Sequence, residues 1–316
     1  MAGTGLPWNV EGLQRRLGAL CPGIGIEIVA EAGSTNTDLL DRIRASAAPA
    51  DTPSRVEHEA AASAGAMLRR SVESAAFTGR ERPVFAPCLR VAEQQTRGRG
   101  RQGRAWASAL GASLTFSLAL PLARADWSGL SLVVGVALAE ALDGMVTDAS
   151  RPAQGARQLG LKWPNDLWLM KGPGSGRKLG GVLIETVPLG MRRIAVIGVG
   201  INVGALGPDA DAPSDLAWLN ELAPDATVPS TLDAIASPLL EAVQLFDRSG
   251  FAAFRERYAA RDVLVGLPVR TTQADATEGI ARGVTAQGAL VVRTQDGMLR
   301  NVSSGEVSVR LGASDP

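Results

Sequence analysis

Four arginines fall within eight residues of this chain, Arg97, Arg99, Arg101 and Arg104, and they are spaced by Gly98, Gly100 and Gly103. Glycine lets a backbone approach a ligand closely, and arginine supplies a planar, permanently charged fork suited to phosphate and carboxylate. The chemistry is anion binding. Arg/Gly segments also bind RNA through charge and stacking, but such segments repeat. This one occurs once, between two strand-like runs, which favours a structured anion loop. Residues 98–103 formally fit the dinucleotide pattern G-x-G-x-x-G. The chain then continues through Arg104-Ala105-Trp106 towards a strand, not into an apolar helix, so that match is discounted.

Three further motifs each have a structural explanation when taken alone. Lys162-Trp163-Pro164-Asn165-Asp166 ends a strand on a lysine and follows it with common turn residues. Lys178-Leu179-Gly180-Gly181 opens a strand, with glycines that could mark a bulge. Gly198-Val199-Gly200-Ile201-Asn202 places two glycines inside an apolar strand, which costs stability unless another group must approach there. Ser175-Gly176-Arg177-Lys178 fits S-x-x-K, but in a glycine-rich turn and not at a helix start, so it too is discounted. No G-x-x-x-x-G-K-[ST] loop is present, so ATP, if used, is not held as in P-loop enzymes.

The scarce residues exclude several chemistries. One histidine, His58, and two cysteines, Cys21 and Cys88, nearly exclude a conventional zinc site. A Ser-His-Asp or Cys-His system would have to use His58, in an alanine-rich stretch. Lys+Arg and Asp+Glu both total 32, so no net field draws the chain to nucleic acid or to a membrane surface. Two isolated cysteines and the lack of a signal-like start or an apolar run of spanning length lead us to expect a cytoplasmic protein.

The elements that must position these motifs follow from periodicity. Helices are expected over 8–20, 130–143, 232–246 and 251–261, and strands over 24–30, 84–93, 112–120 and 194–203. Ser34 or Thr35 can cap a helix, with Asp38 in a capping-box position. Residues 159–170 and 178–187 read as a hairpin across the turn 172–176. Between 45 and 82, 11 of 38 residues are alanine and five are serine, which reads as an insertion, with a helix near 56–74. Beyond Arg261 short runs at 268–271, 280–285, 289–293 and 306–310, with turns at 287–288 and 296–297, suggest a small barrel. The expected division is 1–262 and 263–316.

In this order, Ser34-Thr35-Asn36, the arginine loop through Trp106, Lys162-Trp163-Pro164-Asn165-Asp166, Lys178-Leu179-Gly180-Gly181 and Gly198-x-Gly200-x-Asn202 resemble the bacterial biotin–protein ligases. The resemblance runs from about Ile26 to about Arg310. It implies an α+β fold: a class II synthetase-like domain, with a mixed sheet and flanking helices, plus a C-terminal SH3-like β-barrel. It implies activation of biotin with Mg-ATP to biotinyl-5′-AMP, then transfer to one lysine of the biotin carboxyl carrier protein of acetyl-CoA carboxylase. Lipoate–protein ligases share fold and reaction type, but the arginine loop favours biotin.

By the same resemblance Ser34, Thr35 and Gln95, with Asn36 beside them, would bind the ureido end of biotin. Gly181, Gly198 and Gly200 would let backbone close around its ring and valeryl chain. Arg99, Gly100 and Arg101 would lie over the carboxylate and phosphate, and Lys178 would contact both, so that Lys178, Arg99 and Arg101 are the expected catalytic residues. Arg104, Trp106, Asn165 and Asn202, with Arg101 and Lys178, would form the adenylate side, Trp106 covering the adenine. Lys162 and Asp166 would support the site; Asp166 could touch a Mg2+ that arrives with ATP rather than in a fixed protein site.

Three features depart from the family pattern. Only about 25 residues precede the first matched strand, too few for the winged helix-turn-helix of repressor members, so no specific operator binding is expected. Arg97 stands where many relatives have a small residue. The 45–82 insertion has no counterpart in compact members. The sequence leaves monomer and homodimer open.

Overall fold

Seven strands make the larger sheet of the computed structural model: β1 (Gly25–Ala32), β2 (Cys88–Gln95), β3 (Ser113–Leu122), β4 (Leu159–Lys162), β5 (Asp166–Gly172), β6 (Ser175–Leu189) and β7 (Arg192–Asn202). Their spatial order is β1-β2-β3-β7-β6-β5-β4, with β1 and β2 parallel and the remaining neighbours antiparallel. The structure describes residues 5–47, 85–146, 159–172, 174–207, 215–274, 276, 278–303 and 309–311. The helix expected near 56–74 lies outside them, as does most of the expected insertion.

Successive side chains of a strand point to opposite faces, and β3 uses both. Leu114, Phe116, Leu118, Leu120 and Leu122 join the large core beneath α3 (Leu130–Asp143) and α4 (Val228–Ser249). On the other face Ala119 joins a smaller core with Leu39, Leu40 and Ile43 of α2 (Thr35–Ala47). The mean apolarity of α3 has the expected cause: ten of its residues are buried. A helix α1 (Val10–Leu20) lies against α4 and buries Leu13 and Leu17. Ahead of it, the buried Glu93 carboxylate accepts from the N–H groups of Gly5 and Leu6 and from Trp8 Nε1, each at 2.9 Å. Those bonds hold Glu93 ionised, its pKa lowered against the opposing effect of burial.

Several expectations shift. The run 159–170 is two strands, not one: Lys162-Trp163-Pro164-Asn165-Asp166 turns the chain between β4 and β5, with a cis peptide before Pro164. The hairpin across 172–176 is β5–β6. Ser34 caps α2 through its hydroxyl, which accepts from Thr37 N at 3.5 Å. Asp38 is not part of a capping box, because its carboxylate accepts from Arg90 at 2.8 and 3.0 Å. The strand expected at 84–93 begins at Cys88, and 251–261 is a 3-10 turn followed by the short α5 (Arg255–Ala259).

The C-terminal residues form a five-stranded antiparallel sheet of β8 (Pro268–Thr271), β9 (Glu278–Val284), β10 (Leu290–Arg293), β11 (Leu299–Val302) and β12 (Val309–Leu311). Its order is β11-β10-β9-β8-β12, so among the described residues β11 and β12 are edges and the sheet is not closed. The strand β11 was not expected; Arg300 and Asn301 break the apolar alternation that marks a strand in sequence. This sheet packs against the β4–β5 turn, where the fully buried Trp163 donates from Nε1 to the Gly288 carbonyl at 3.0 Å. Among the described residues no helix is long and apolar enough to cross a membrane.

Candidate active site

A cavity of about 370 Å³ opens where the C-terminal end of β2, the start of α2, the arginine loop and the β4–β5 turn meet over β6 and β7. Ser34, Thr35, Asn36 and Gln95 line one end. Arg99, Gly100, Arg101, Arg104 and Trp106 cover it from the loop. Asn165, Asp166, Lys178, Gly181, Gly198, Gly200 and Asn202 complete the wall, so the residues to which the resemblance gave a role lie on one cavity.

The Ser34 end is a hydrogen-bonded chain. Gln95 Oε1 accepts from Thr35 N at 2.7 Å and from Thr35 Oγ1 at 3.2 Å. Thr35 Oγ1 also meets Ser117 Oγ at 2.7 Å, and Ser117 Oγ lies 2.6 Å from Asn36 Oδ1, to which it donates. Asn36 Nδ2 donates onward to Glu185 Oε2 at 2.9 Å, and the same oxygen accepts from Arg99 Nη2 at 2.7 Å. Fixed polar groups thus run from the buried end of the cavity to the arginine loop. Pre-set hydrogen bonds of this kind fix which atoms of a ligand can be satisfied there.

The arginine loop is closed on itself by backbone bonds. Gly100 N donates to Arg104 O at 2.7 Å and Trp106 N to Gly98 O at 2.9 Å. Gln102 adopts φ 57°, a left-handed conformation in the tip of the loop. Arg97 points elsewhere: its guanidinium packs over Gly33, and it is not part of the cavity wall.

Cations gather around one carboxylate. Lys178 Nζ lies 2.7 Å from Asp166 Oδ1 and 5.7 Å from the centre of the Trp106 ring. Arg101 Nη1 donates to Asn165 Oδ1 at 3.3 Å, and Asn165 is held by its own donation to Val182 O at 2.9 Å. Burial lowers the pKa of Arg101, with the charge of Asp166 pulling the other way. Lys162 shows the same pattern: burial depresses its pKa and Asp166 opposes the shift. A guanidinium or ammonium that has lost much of its water gains more from an incoming anion than an exposed one does. Asn202 is buried, with Nδ2 3.4 Å from Lys178 O, so it supports the Lys178 backbone.

The glycines inside β7 answer the question posed by their cost. A Cβ on Gly198 would lie 2.5 Å from Asn36 Oδ1, and one on Gly200 would lie 2.4 Å from two Trp106 ring carbons. Neither neighbour can sit where it does unless those positions lack a side chain.

Sequence reasoning missed Ser117, Glu185 and Trp168. Ser113, Thr115 and Ser117 are all buried and alternate along an otherwise apolar strand, a period-two signal that was available. Trp168 also lines the cavity; it read as an ordinary strand residue.

Comparison with known proteins places the chain in a family. Residues 80–202 match the biotin/lipoate A/B protein ligase family, and residues 266–310 match the biotin protein ligase C-terminal domain. The chain is 31% identical to the biotin–[acetyl-CoA-carboxylase] ligase of Mycobacterium tuberculosis over 89% of its own length and 88% of that protein's. It is 34% identical to the bifunctional ligase/repressor BirA of Salmonella typhimurium over 70% of this chain, an alignment that spans 66% of the relative. The fold resembles that of the Aquifex aeolicus biotin protein ligase solved with biotin and ATP, with a TM-score of 0.63 and 24% identity over 91% of this chain and 99% of that one. The chain belongs to the biotin protein ligase family.

Proposed function

We propose that this protein is an ATP-dependent biotin–protein ligase that adenylates biotin and passes it to a lysine of a biotin carboxyl carrier protein such as that of acetyl-CoA carboxylase. The observation that carries this reading is the single cavity in which a polar end built from Thr35 and Gln95 faces a cationic end built from Arg99, Arg101 and Lys178. Its volume of about 370 Å³ lies within the range of small-molecule sites, roughly 300–1,000 Å³.

Biotin's ureido group, which both donates and accepts hydrogen bonds, suits Ser34, Thr35, Asn36 and Gln95. The dithiolane of lipoate would leave that buried polar chain unmatched, which is costly. Gly181, Gly198 and Gly200 leave room for the bicyclic ring and valeryl chain. At the other end Lys178, Arg99 and Arg101, with the Gly100 backbone, offset the repulsion between the biotin carboxylate and the triphosphate. A carboxylate oxygen bonds to the α-phosphorus while the bond to the β-phosphate oxygen breaks, and pyrophosphate leaves with the electron pair. The ε-amine of the carrier lysine then attacks the acyl carbon, AMP departs, and the amine loses a proton. No histidine base is needed for the first step, because a carboxylate is already ionised at neutral pH.

Arg104, Asn165 and Asn202 lie on the adenylate side, with Trp106 over the adenine. Among the described residues no three His, Cys, Asp or Glu side chains cluster as a metal site. On this reading Mg2+ travels with the triphosphate, and Asp166, beside Lys178, is the carboxylate that would meet it. We assign residues 1–262 to the catalytic domain and read the small C-terminal sheet as the SH3-like barrel of residues 263–316, supported by its five short antiparallel strands.

The test is ATP–pyrophosphate exchange with biotin, with lipoate and with neither. Exchange that depends on biotin supports the assignment; exchange with lipoate alone, or none with either acid, overturns it.

A further inference from the structure

Two lysines flank β5, and each has taken the other's neighbour. In the strand register Lys162 of β4 stands opposite Asp166, and Lys178 of β6 stands opposite Trp168. Directly opposed side chains are the natural partners across antiparallel strands. The contacts run diagonally instead. Lys178 Nζ pairs with Asp166 Oδ1 at 2.7 Å, and Lys162 Nζ lies over the Trp168 ring, 4.6 Å from its centre. All four side chains line the cavity.

The exchange leaves the two ammonium groups in different electrostatic states. Lys178 is neutralised by a carboxylate at contact distance. Among the described residues no carboxylate pairs with the Lys162 ammonium at contact distance, Asp166 and Asp215 acting on it from further off; its close partner is the negative face of an indole, which orients a cation without cancelling its charge. A carboxylate in that place would compete with an incoming phosphate, whereas an aromatic face does not.

We propose that Trp168 is a positioning residue that holds the Lys162 ammonium un-neutralised for the β- and γ-phosphates of ATP, the part that leaves as pyrophosphate. The inference rests on the ligase reading above. Adenylation breaks the bond between the α-phosphorus and the bridging oxygen, and the departing pyrophosphate gains negative charge as that bond breaks. Lys162 meets that charge, and Lys178 serves the α-phosphate and the biotin carboxylate.

Trp168 packs against Gly176, where an added Cβ would lie 3.0 Å from Trp168 Cε3, so a crude truncation could disturb the β5–β6 pairing. The test therefore compares two variants. Trp168→Phe keeps an aromatic face and removes the indole N–H; Trp168→Leu keeps apolar bulk and removes the face. Biotin-dependent ATP–pyrophosphate exchange is measured on the full chain as a function of pyrophosphate, and biotin affinity is measured separately by calorimetry. The expected result is a KM for pyrophosphate raised about tenfold in Trp168→Leu, within the reach of a desolvated cation–π contact. Trp168→Phe should stay within about threefold of wild type, Lys162→Met should match Trp168→Leu, and biotin affinity should hold in all three.

A Trp168→Leu protein with the wild-type KM overturns the proposal. So does a Trp168→Phe protein as impaired as Trp168→Leu, or an equal loss of biotin affinity, since either would mark a packing role. If the wild-type protein shows no biotin-dependent exchange, the ligase reading itself has failed, and the two failures are told apart by that control.

Discussion

Trp106 occupies the space that a side chain on Gly200 would need: the missing Cβ would sit 2.4 Å from two of its ring carbons. The loop and the central strand are therefore matched, and the ring's position over the cavity depends on a bare backbone one strand away.

Gly200→Ala should displace Trp106 while leaving the sheet paired, since alanine's β-strand φ/ψ is unstrained there. The expected outcome is a KM for ATP raised at least about tenfold with biotin affinity changed far less. Steady-state kinetics with each substrate varied in turn checks it; equal loss for both substrates would point to general damage.

Lys178→Ala should abolish measurable adenylation, a fall of at least about 100-fold in biotin-dependent ATP–pyrophosphate exchange, the scale seen when one charge-stabilising donor is removed from a transition state. The substitution also strips Asp166 of its 2.7 Å partner and leaves a carboxylate facing the phosphates. Near-normal exchange would remove Lys178 from the catalytic set.

Arg99→Ala and Arg101→Ala should release biotinyl-AMP faster than wild type. Arg99 is tied to Glu185 on β6 and Arg101 to Asn165 in the β4–β5 turn, so each holds the loop to a different element. A loosened loop admits water to the mixed anhydride. Filter-binding of radiolabelled intermediate over time measures this, and retention equal to wild type would refute the role.

The carboxyl of Asp262 is pushed up to about 6 by burial, against a single stabilising bond from Leu264 N. Among the described residues its Oδ2 has no hydrogen-bond partner. Because the folded pKa is raised, the folded state holds this proton more tightly than the unfolded chain does. The resulting stability is fully present below the ordinary aspartate pKa near 3.8 and is lost as pH rises through about 6. Asp262→Asn, which keeps the acceptor for Leu264, should therefore stabilise the protein relative to wild type at pH 8 by on the order of 1–3 kcal/mol. At pH 4 the difference should shrink. Paired chemical denaturation at the two pH values checks the sign.

The sequence exposed the site more fully than the fold. Glycine and arginine motifs announce themselves because their residue types are costly or unusual in strands and loops, and Gly198, Gly200 and Arg101 all line the cavity. Ser117 and Glu185 went unnoticed because a lone serine or glutamate in a strand has an ordinary explanation. Their importance comes from hydrogen bonds to Asn36, 81 and 149 positions away, which no local pattern records. The turn residues of Lys162-Trp163-Pro164-Asn165-Asp166 were legible, but not that the runs on either side fold back and pair with each other as β4 and β5, because both are apolar and nothing local records the pairing. Trp168 illustrates the limit, since its value lies in a diagonal contact that strand register alone would assign to Lys178.

The grip of Glu93 on Gly5, Leu6 and Trp8 has an engineering implication. Any tag or fusion joined ahead of Gly5 is leashed to a clamp only two positions along β2 from Gln95. A short tether there would keep a fused domain close to that clamp, whereas one tens of residues long would let it roam well away from it.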